Sequence, residues 1–125
     1  SFHDGVAIIS AIKRSETPIA GTVYSYAYSM GLAILMACER RYMSRYGSLM
    51  YHEVATGIDG NNSQIKRTNK ELDRIQKIYD DLIVHNSKVT QEMLEDQKEK
   101  IADWTIDFEE AMKLGLVHGA VEDLV

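Results

Sequence analysis

Cysteine, proline and tryptophan each occur only once in the 125 residues, and phenylalanine only twice. A single cysteine allows no internal disulfide and no thiolate zinc cluster. Cys38 sits inside the apolar run GLAILMAC, reads as a small buried side chain and suits a reducing, cytoplasmic setting. Long apolar runs are lacking too. The longest, GVAIISAI and GLAILMAC, fall far short of the ~20 residues that a bilayer-spanning helix needs, so no membrane anchor is expected. Cationic excess is missing as well: the formal net charge is -5, and nucleic acid as a partner is excluded because a polyanion needs a concentrated basic face. With one proline and no low-complexity tract, disorder is not the default either.

What is present is an ordinary globular composition, 45% apolar and 26% charged, in a length that suits one domain with one core. No stretch reads as a secretory leader. With Ser1 first and Met30 the earliest methionine, the chain is expected to start inside a longer protein.

Residues 5–12 are almost continuously apolar after Asp4, which predicts a helix with Asp4 in its first turn or cap. Residues 18–23 (PIAGTV) read as a short buried strand entered at a proline. The stretch YAYSMG follows, then a helix to about Arg41. Residues 48–54 (SLMYHEV) alternate like another strand, with His52 near its carboxyl end. Strand, helix, strand in this order predicts a parallel α/β unit, whose ligands sit beyond the carboxyl ends of the strands.

Residues 57–63 (GIDGNNS) are loop by composition. Beyond them Ile65, Thr68, Leu72, Ile75, Tyr79 and Leu82 step by three and four, a helical seam of about five turns. The opposite face carries Lys66, Lys70, Arg74, Lys77 and Asp81, with Asp73/Lys77 and Lys77/Asp81 as pairs. Packing on the domain's own sheet and contact with another subunit explain so narrow a stripe equally well. Thr90 reads as the cap of a further short helix. Asp107 with Glu110 forms a capping box before EEAMKL, which Gly115 closes.

In YAYSMG, Ser29 has the chemistry of a helix cap, but a cap does not require the small Ala27 and Gly31 on either side. A sharp strand-to-helix elbow presenting a nucleophile does. A serine hydroxyl needs a base, and the base needs an orienting group. Four histidines are on offer: His3 near the start, His85 after the long helix, His118 in a late turn and His52 at a strand end, where it can converge with Ser29. Among nineteen acidic residues periodicity does not choose; Asp103, beside Trp104, is one that falls between helices rather than in a charged stripe. No carboxylate pair suggests glycoside hydrolysis, and GIDGN lacks the flanks of a phosphate loop.

With YAYSMG, MYHEV and DWTIDFEEAMKLGLV in that order, essentially the whole chain resembles the proteolytic subunit of the Clp protease. That family has a small-small-Ser-Met-Gly elbow, a strand ending in Met-x-His, and an Asp ahead of a Glu-Ala helix closing in Gly-Leu-Ile or Gly-Leu-Val. The matching residues are Ser29-Met30-Gly31, Met50-Tyr51-His52, and Asp103 before Glu110-Ala111 and Gly115-Leu116-Val117. The resemblance implies a crotonase-like α/β subunit, a parallel sheet with flanking helices, in which Ser29 is the nucleophile, His52 the general base and Asp103 its orienting acid. The backbone N–H of Met30 would be one oxyanion donor. It also implies that residues 64 to about 84 form a protruding handle helix through which heptameric rings stack into a chamber. Unfolded polypeptide would be fed to that chamber by an AAA+ unfoldase, with no cofactor and no metal in the peptidase.

The chain departs from the family's pattern in places. The Gly-Gly turn holding a second oxyanion donor would lie before Ser1, as would the N-terminal strands and axial loop. Tyr28 stands where alanine is usual, Glu53-Val54 replaces Gln-Pro, and His118 replaces an acidic residue. Ile101 and Ala102 stand where an Asp-Arg pair bridges the rings. The divergent elbow and missing ring bridge suit one alternative, a phage-type protease trimming scaffold or capsid proteins; against another, a non-catalytic structural subunit, stands the intact set of Ser29, His52 and Asp103. A crotonase-like acyl-CoA enzyme shares the fold but needs no serine at this elbow.

Overall fold

Chain order in the computed structural model is α1 (Phe2–Arg14), β1 (Ala20–Val23), β2 (Tyr26–Tyr28), α2 (Met30–Ala37), β3 (Arg40–Met43), β4 (Ser48–Tyr51), α3 (Asn62–Asn86), α4 (Gln91–Glu99), β5 (Trp104–Asp107), α5 (Phe108–Lys113) and β6 (Gly119–Ala120), then a 3-10 turn at Val121–Asp123. It describes residues 2–55, 57, 59–100 and 102–124, so Ile58 of GIDGNNS and Ile101 lie outside the described residues. The strands form two three-stranded sheets. In the first, ordered β1-β3-β6, every pairing is parallel; in the second, ordered β2-β4-β5, β2 and β4 are parallel and β5 runs antiparallel to β4. The chain is α/β, with parallel strands and flanking helices as the pattern indicated.

α2 (MGLAILMA) has no polar face, so it must be enclosed on all sides. Leu32, Ala33, Leu35, Met36 and Ala37 are all buried, with α1, α3 and strands β2 and β4 against them. α1 approaches closely because position 5 is glycine: a Cβ there would overlap the Met30 side chain.

Several expected boundaries move. The helix predicted to run to about Arg41 stops at Ala37, because Cys38 is extended (φ -79, ψ 140) and the chain turns into β3, a strand that the pattern does not show. β1 is an edge strand in which only Val23 is buried, not a buried strand. β4 ends at Tyr51, so His52 lies just past it. β5 and β6 have no counterpart in the sequence pattern: Asp103 precedes a strand rather than lying between helices, and His85 falls inside the last turn of α3.

Capping is where sequence reading succeeds. Thr90 accepts the Met93 N–H at 3.2 Å, and Asp107 accepts that of Glu110 at 2.9 Å. Gly115 ends α5 with φ +71, a left-handed turn that costs glycine little. α3 starts earlier than the loop composition suggests: Asn61 accepts the Gln64 N–H at 2.9 Å while Gln64 takes the Asn61 N–H at 2.7 Å, which makes Asn62 and Ser63 helical. Lys77 pairs with Asp81 at 2.9 Å, and Arg74 with Glu71 at 2.6 Å. The buried residues of α3, Ile75, Tyr79, Asp80 and Ile83, all lie in its second half; Ile65, Thr68 and Leu72 are only half-buried.

Arg41 of β3 is 4% exposed and has no carboxylate partner among the described residues. Its guanidinium instead donates to the carbonyls of Cys38 (3.0 Å), Asn86 (2.7 Å), Gly115 (3.1 Å) and Leu116 (2.7 Å). These are the carboxyl ends of α2, α3 and α5, where unpaired carbonyls and helix dipoles present negative potential. Burial nevertheless pulls the guanidinium pKa below its ordinary value.

Candidate active site

Ser29 joins β2 to α2 with φ 55 and ψ -116, and no other non-glycine residue among those described has a positive φ. Such a conformation costs roughly 1 to 3 kcal/mol and persists only where the surroundings impose it. Here the Ser29 N–H donates to Met50 of β4 at 3.0 Å, while its carbonyl accepts the Ala33 N–H at 3.2 Å, so the residue is fixed by the sheet on one side and the helix on the other. Its hydroxyl makes no capping bond, contrary to the simplest expectation for a serine there: a cap needs β-region dihedrals to aim its oxygen back at the first turn. Gly31 and Ala27 face one another across the elbow; a Cβ on Gly31 would stand 3.7 Å from that of Ala27. Met30 opens α2, so its N–H is one of the donors without a partner inside the helix.

The second sheet relates this elbow to the other two candidates. Tyr28 pairs with Met50, and Tyr51 with Trp104. The register ends there: Ser29 follows β2, His52 follows β4, and Asp103 precedes the antiparallel β5. The three residues thus follow or precede three adjacent strands at one end of one sheet. His52 and Asp103 line a cleft of about 200 Å³ together with Tyr51, Gln97 and Lys98. Ser29 does not line it. Met30, next to Ser29, lines a groove of about 670 Å³ with the apolar Phe2, Leu72 and Ile75 and the polar His3, Arg67 and Glu71.

The relay is not closed. His52 Nδ1 lies 2.8 Å from the Glu53 carbonyl, and since a carbonyl only accepts, Nδ1 is the donor there, an arrangement that in the neutral ring leaves the lone pair on Nε2. Asp103 is exposed and is not the partner of that nitrogen. Of the remaining histidines, His3 lines the groove beside Met30 and the other two stand elsewhere. His3 lies in α1 and His85 in α3, while His118 is bound to the backbone of β3, its Nδ1 accepting the Arg41 N–H at 3.0 Å and its N–H donating to the Arg41 carbonyl at 2.7 Å.

A polar cluster that sequence reading missed lies beneath the His52 segment. Asp80, 3% exposed, accepts from Tyr51 Oη (2.8 Å), Gln76 Nε2 (2.8 Å), Gln91 Nε2 (3.1 Å) and Lys98 Nζ (2.7 Å). Burial opposes the charge on Lys98, but its bonds to Asp80 and Glu95 outweigh that and leave the ammonium pKa above its usual value. Burial, reinforced by Asp80, pushes the Tyr51 phenol pKa far up, so Tyr51 remains a donor. The available signal was an aspartate next to Tyr79 on the otherwise apolar seam of α3.

The Clp protease family model matches residues 1–123. The chain belongs to the Clp protease family. Its α/β architecture fits that family's fold, and the chemistry that membership carries is peptide-bond hydrolysis. Among the described residues of this Clp family member, no helix is long and apolar enough to cross a membrane.

Proposed function

We propose that the chain is a serine endopeptidase subunit in which Ser29 attacks the scissile carbonyl, His52 takes its proton through Nε2, and Asp103 orients the imidazole. The observation that carries this is the strained, uncapped serine at the end of β2, one strand away from His52 and two from Asp103 at the same end of the sheet. A hydroxyl not spent on capping is free to react, and the Met30 N–H at the start of α2 suits the oxyanion that follows attack. The Nδ1 bond to the Glu53 carbonyl supports this, because in the neutral ring it leaves Nε2 as the acceptor. For Asp103 to orient the ring, Nδ1–H exchanges the Glu53 carbonyl for the carboxylate on the facing strand. The groove beside Met30 accommodates a substrate side chain. As in the family resemblance, the subunit acts within an oligomeric chamber, the half-buried seam of α3 meets a second subunit, and an AAA+ unfoldase delivers unfolded polypeptide.

One observation favours a second reading, a non-catalytic structural subunit: Nδ1 is engaged by Glu53 rather than by Asp103. A fluorophosphonate probe separates the two. It is expected to label the full-length protein at Ser29, with Ser29→Ala abolishing the label and His52→Ala slowing it by about 10³-fold or more. Labelling that persists in Ser29→Ala, or none in the wild type, rejects the serine peptidase.

A further inference from the structure

We infer that Gln76 of α3 is a positioning residue for the His52 imidazole, acting from a single helix face with Tyr79 and Asp80. This rests on the reading of His52 as the general base. Residues 76, 79 and 80 stand at i, i+3 and i+4, so α3 presents all three to the same neighbour. That neighbour is the segment around His52. On its amino side, Tyr51 is paired into β4, and its hydroxyl is bound by Asp80 at 2.8 Å. On its carboxyl side, the Val54 N–H donates to Gln76 Oε1 at 2.7 Å.

Only His52 and Glu53 lie between the two anchors. Gln76 joins them into one unit, since its amide also donates to Asp80 at 2.8 Å and to Tyr51 Oη at 3.1 Å. The Tyr79 ring packs on Tyr51 with centroids 5.1 Å apart, and its buried hydroxyl lies near the His52 backbone N–H without completing a hydrogen bond. Lys98 and Gln91 fix the far oxygen of Asp80 and tie α4 to the same unit.

A chain segment pinned at both ends has little freedom in the backbone that aims its side chain. Here the pinned backbone also supplies the Glu53 carbonyl that sets the His52 tautomer. Val54 is essential to this arrangement. It stands where the family resemblance has proline, and proline has no N–H to give. The clamp therefore belongs to this chain's own sequence.

The test compares Gln76→Met, Gln76→Glu and the double variant Gln76→Glu/Asp80→Asn in the full-length protein. Readouts are kcat and KM on a fluorogenic peptide, the urea midpoint, and the His52 imidazole resonances in a nitrogen-15 NMR spectrum. Gln76→Met, close in shape but unable to bond Val54, is expected to lose about tenfold or more in kcat with KM nearly unchanged, and to shift or broaden the His52 signal. Gln76→Glu places two carboxylates together and is expected to lose as much. Adding Asp80→Asn to that variant gives the new carboxylate at position 76 a donor again and recovers most of the turnover, which a merely structural role would not produce. A Gln76→Met protein that keeps wild-type kcat and an unshifted His52 signal overturns the inference. A wild type without turnover rejects the peptidase reading instead; the imidazole signal then decides the clamp alone, shifted in Gln76→Met if it exists and unshifted if it does not.

Discussion

Arg41 and Asp80 are both buried charges, and they are satisfied in opposite ways. Arg41 binds backbone carbonyls at three helix ends and no acid among the described residues, whereas Asp80 binds four side chains, one of them a lysine. Helix-end carbonyls exist whatever the side chains are, so the Arg41 centre depends on the course of the chain alone. The Asp80 centre depends on the identity of every partner, and it lies beneath the His52 segment. One charge fastens helix ends; the other, in the proposed reading, braces the segment that carries His52.

The largest test of that contrast is Arg41→Met. It leaves four carbonyls without their donor and is expected to cost about 4 kcal/mol in urea unfolding, without a selective effect on the His52 signal. A loss under about 1 kcal/mol would end the distinction. Smaller effects come from the two stacked tyrosines. Tyr51→Phe removes a bond to a buried carboxylate and is expected to cost about 2 kcal/mol, while Tyr79→Phe removes a hydroxyl that has no partner and leaves stability equal or about 1 kcal/mol higher. Equal losses in both would mean that the Asp80 bond contributes nothing specific.

The smallest effect concerns His118, which is bound to the backbone of Arg41. Burial first, and the Arg41 charge second, lower its pKa from the ordinary 6.5. The folded state then binds fewer protons than the unfolded chain. Its contribution is full above pH 6.5 and is lost as the pH falls through the lowered value. His118→Asn keeps an acceptor that does not titrate, so the wild type is expected to lose slightly more stability than the variant below pH 6.5. Superimposable urea midpoints would remove His118 from the Arg41 centre.

Local chemistry makes much of the fold legible. The caps at Thr90 and Asp107, the closing Gly115 and the apolar seam of α3 depend on residues within a turn or two of each other, and sequence displays such relations directly. β3 is hidden because RRYM carries two arginines, one of them buried by carbonyls 45 to 75 residues away. The candidate site is less legible. His52 follows a strand that local pattern locates, though β4 stops at Tyr51 while its alternation runs on to Val54, whereas β2, which leads into Ser29, is distinct from the strand read at 18–23. Asp103 stands out from other acids only through family resemblance, because its place depends on the antiparallel β4–β5 register, a pairing between segments far apart in the chain. Gln76 is invisible for a further reason: its partner is a main-chain N–H that exists only because position 54 is not proline.

α3 buries its side chains fully only from Ile75 onward; Leu72 still packs against the core, and residues 62–71 carry no fully buried side chain over about 15 Å. Mechanically that stretch is a lever whose fulcrum is the turn carrying Gln76. Under the proposed reading, torque applied at the tip would arrive first at the backbone on either side of the imidazole, through the Gln76 and Asp80 bonds to Val54 and Tyr51.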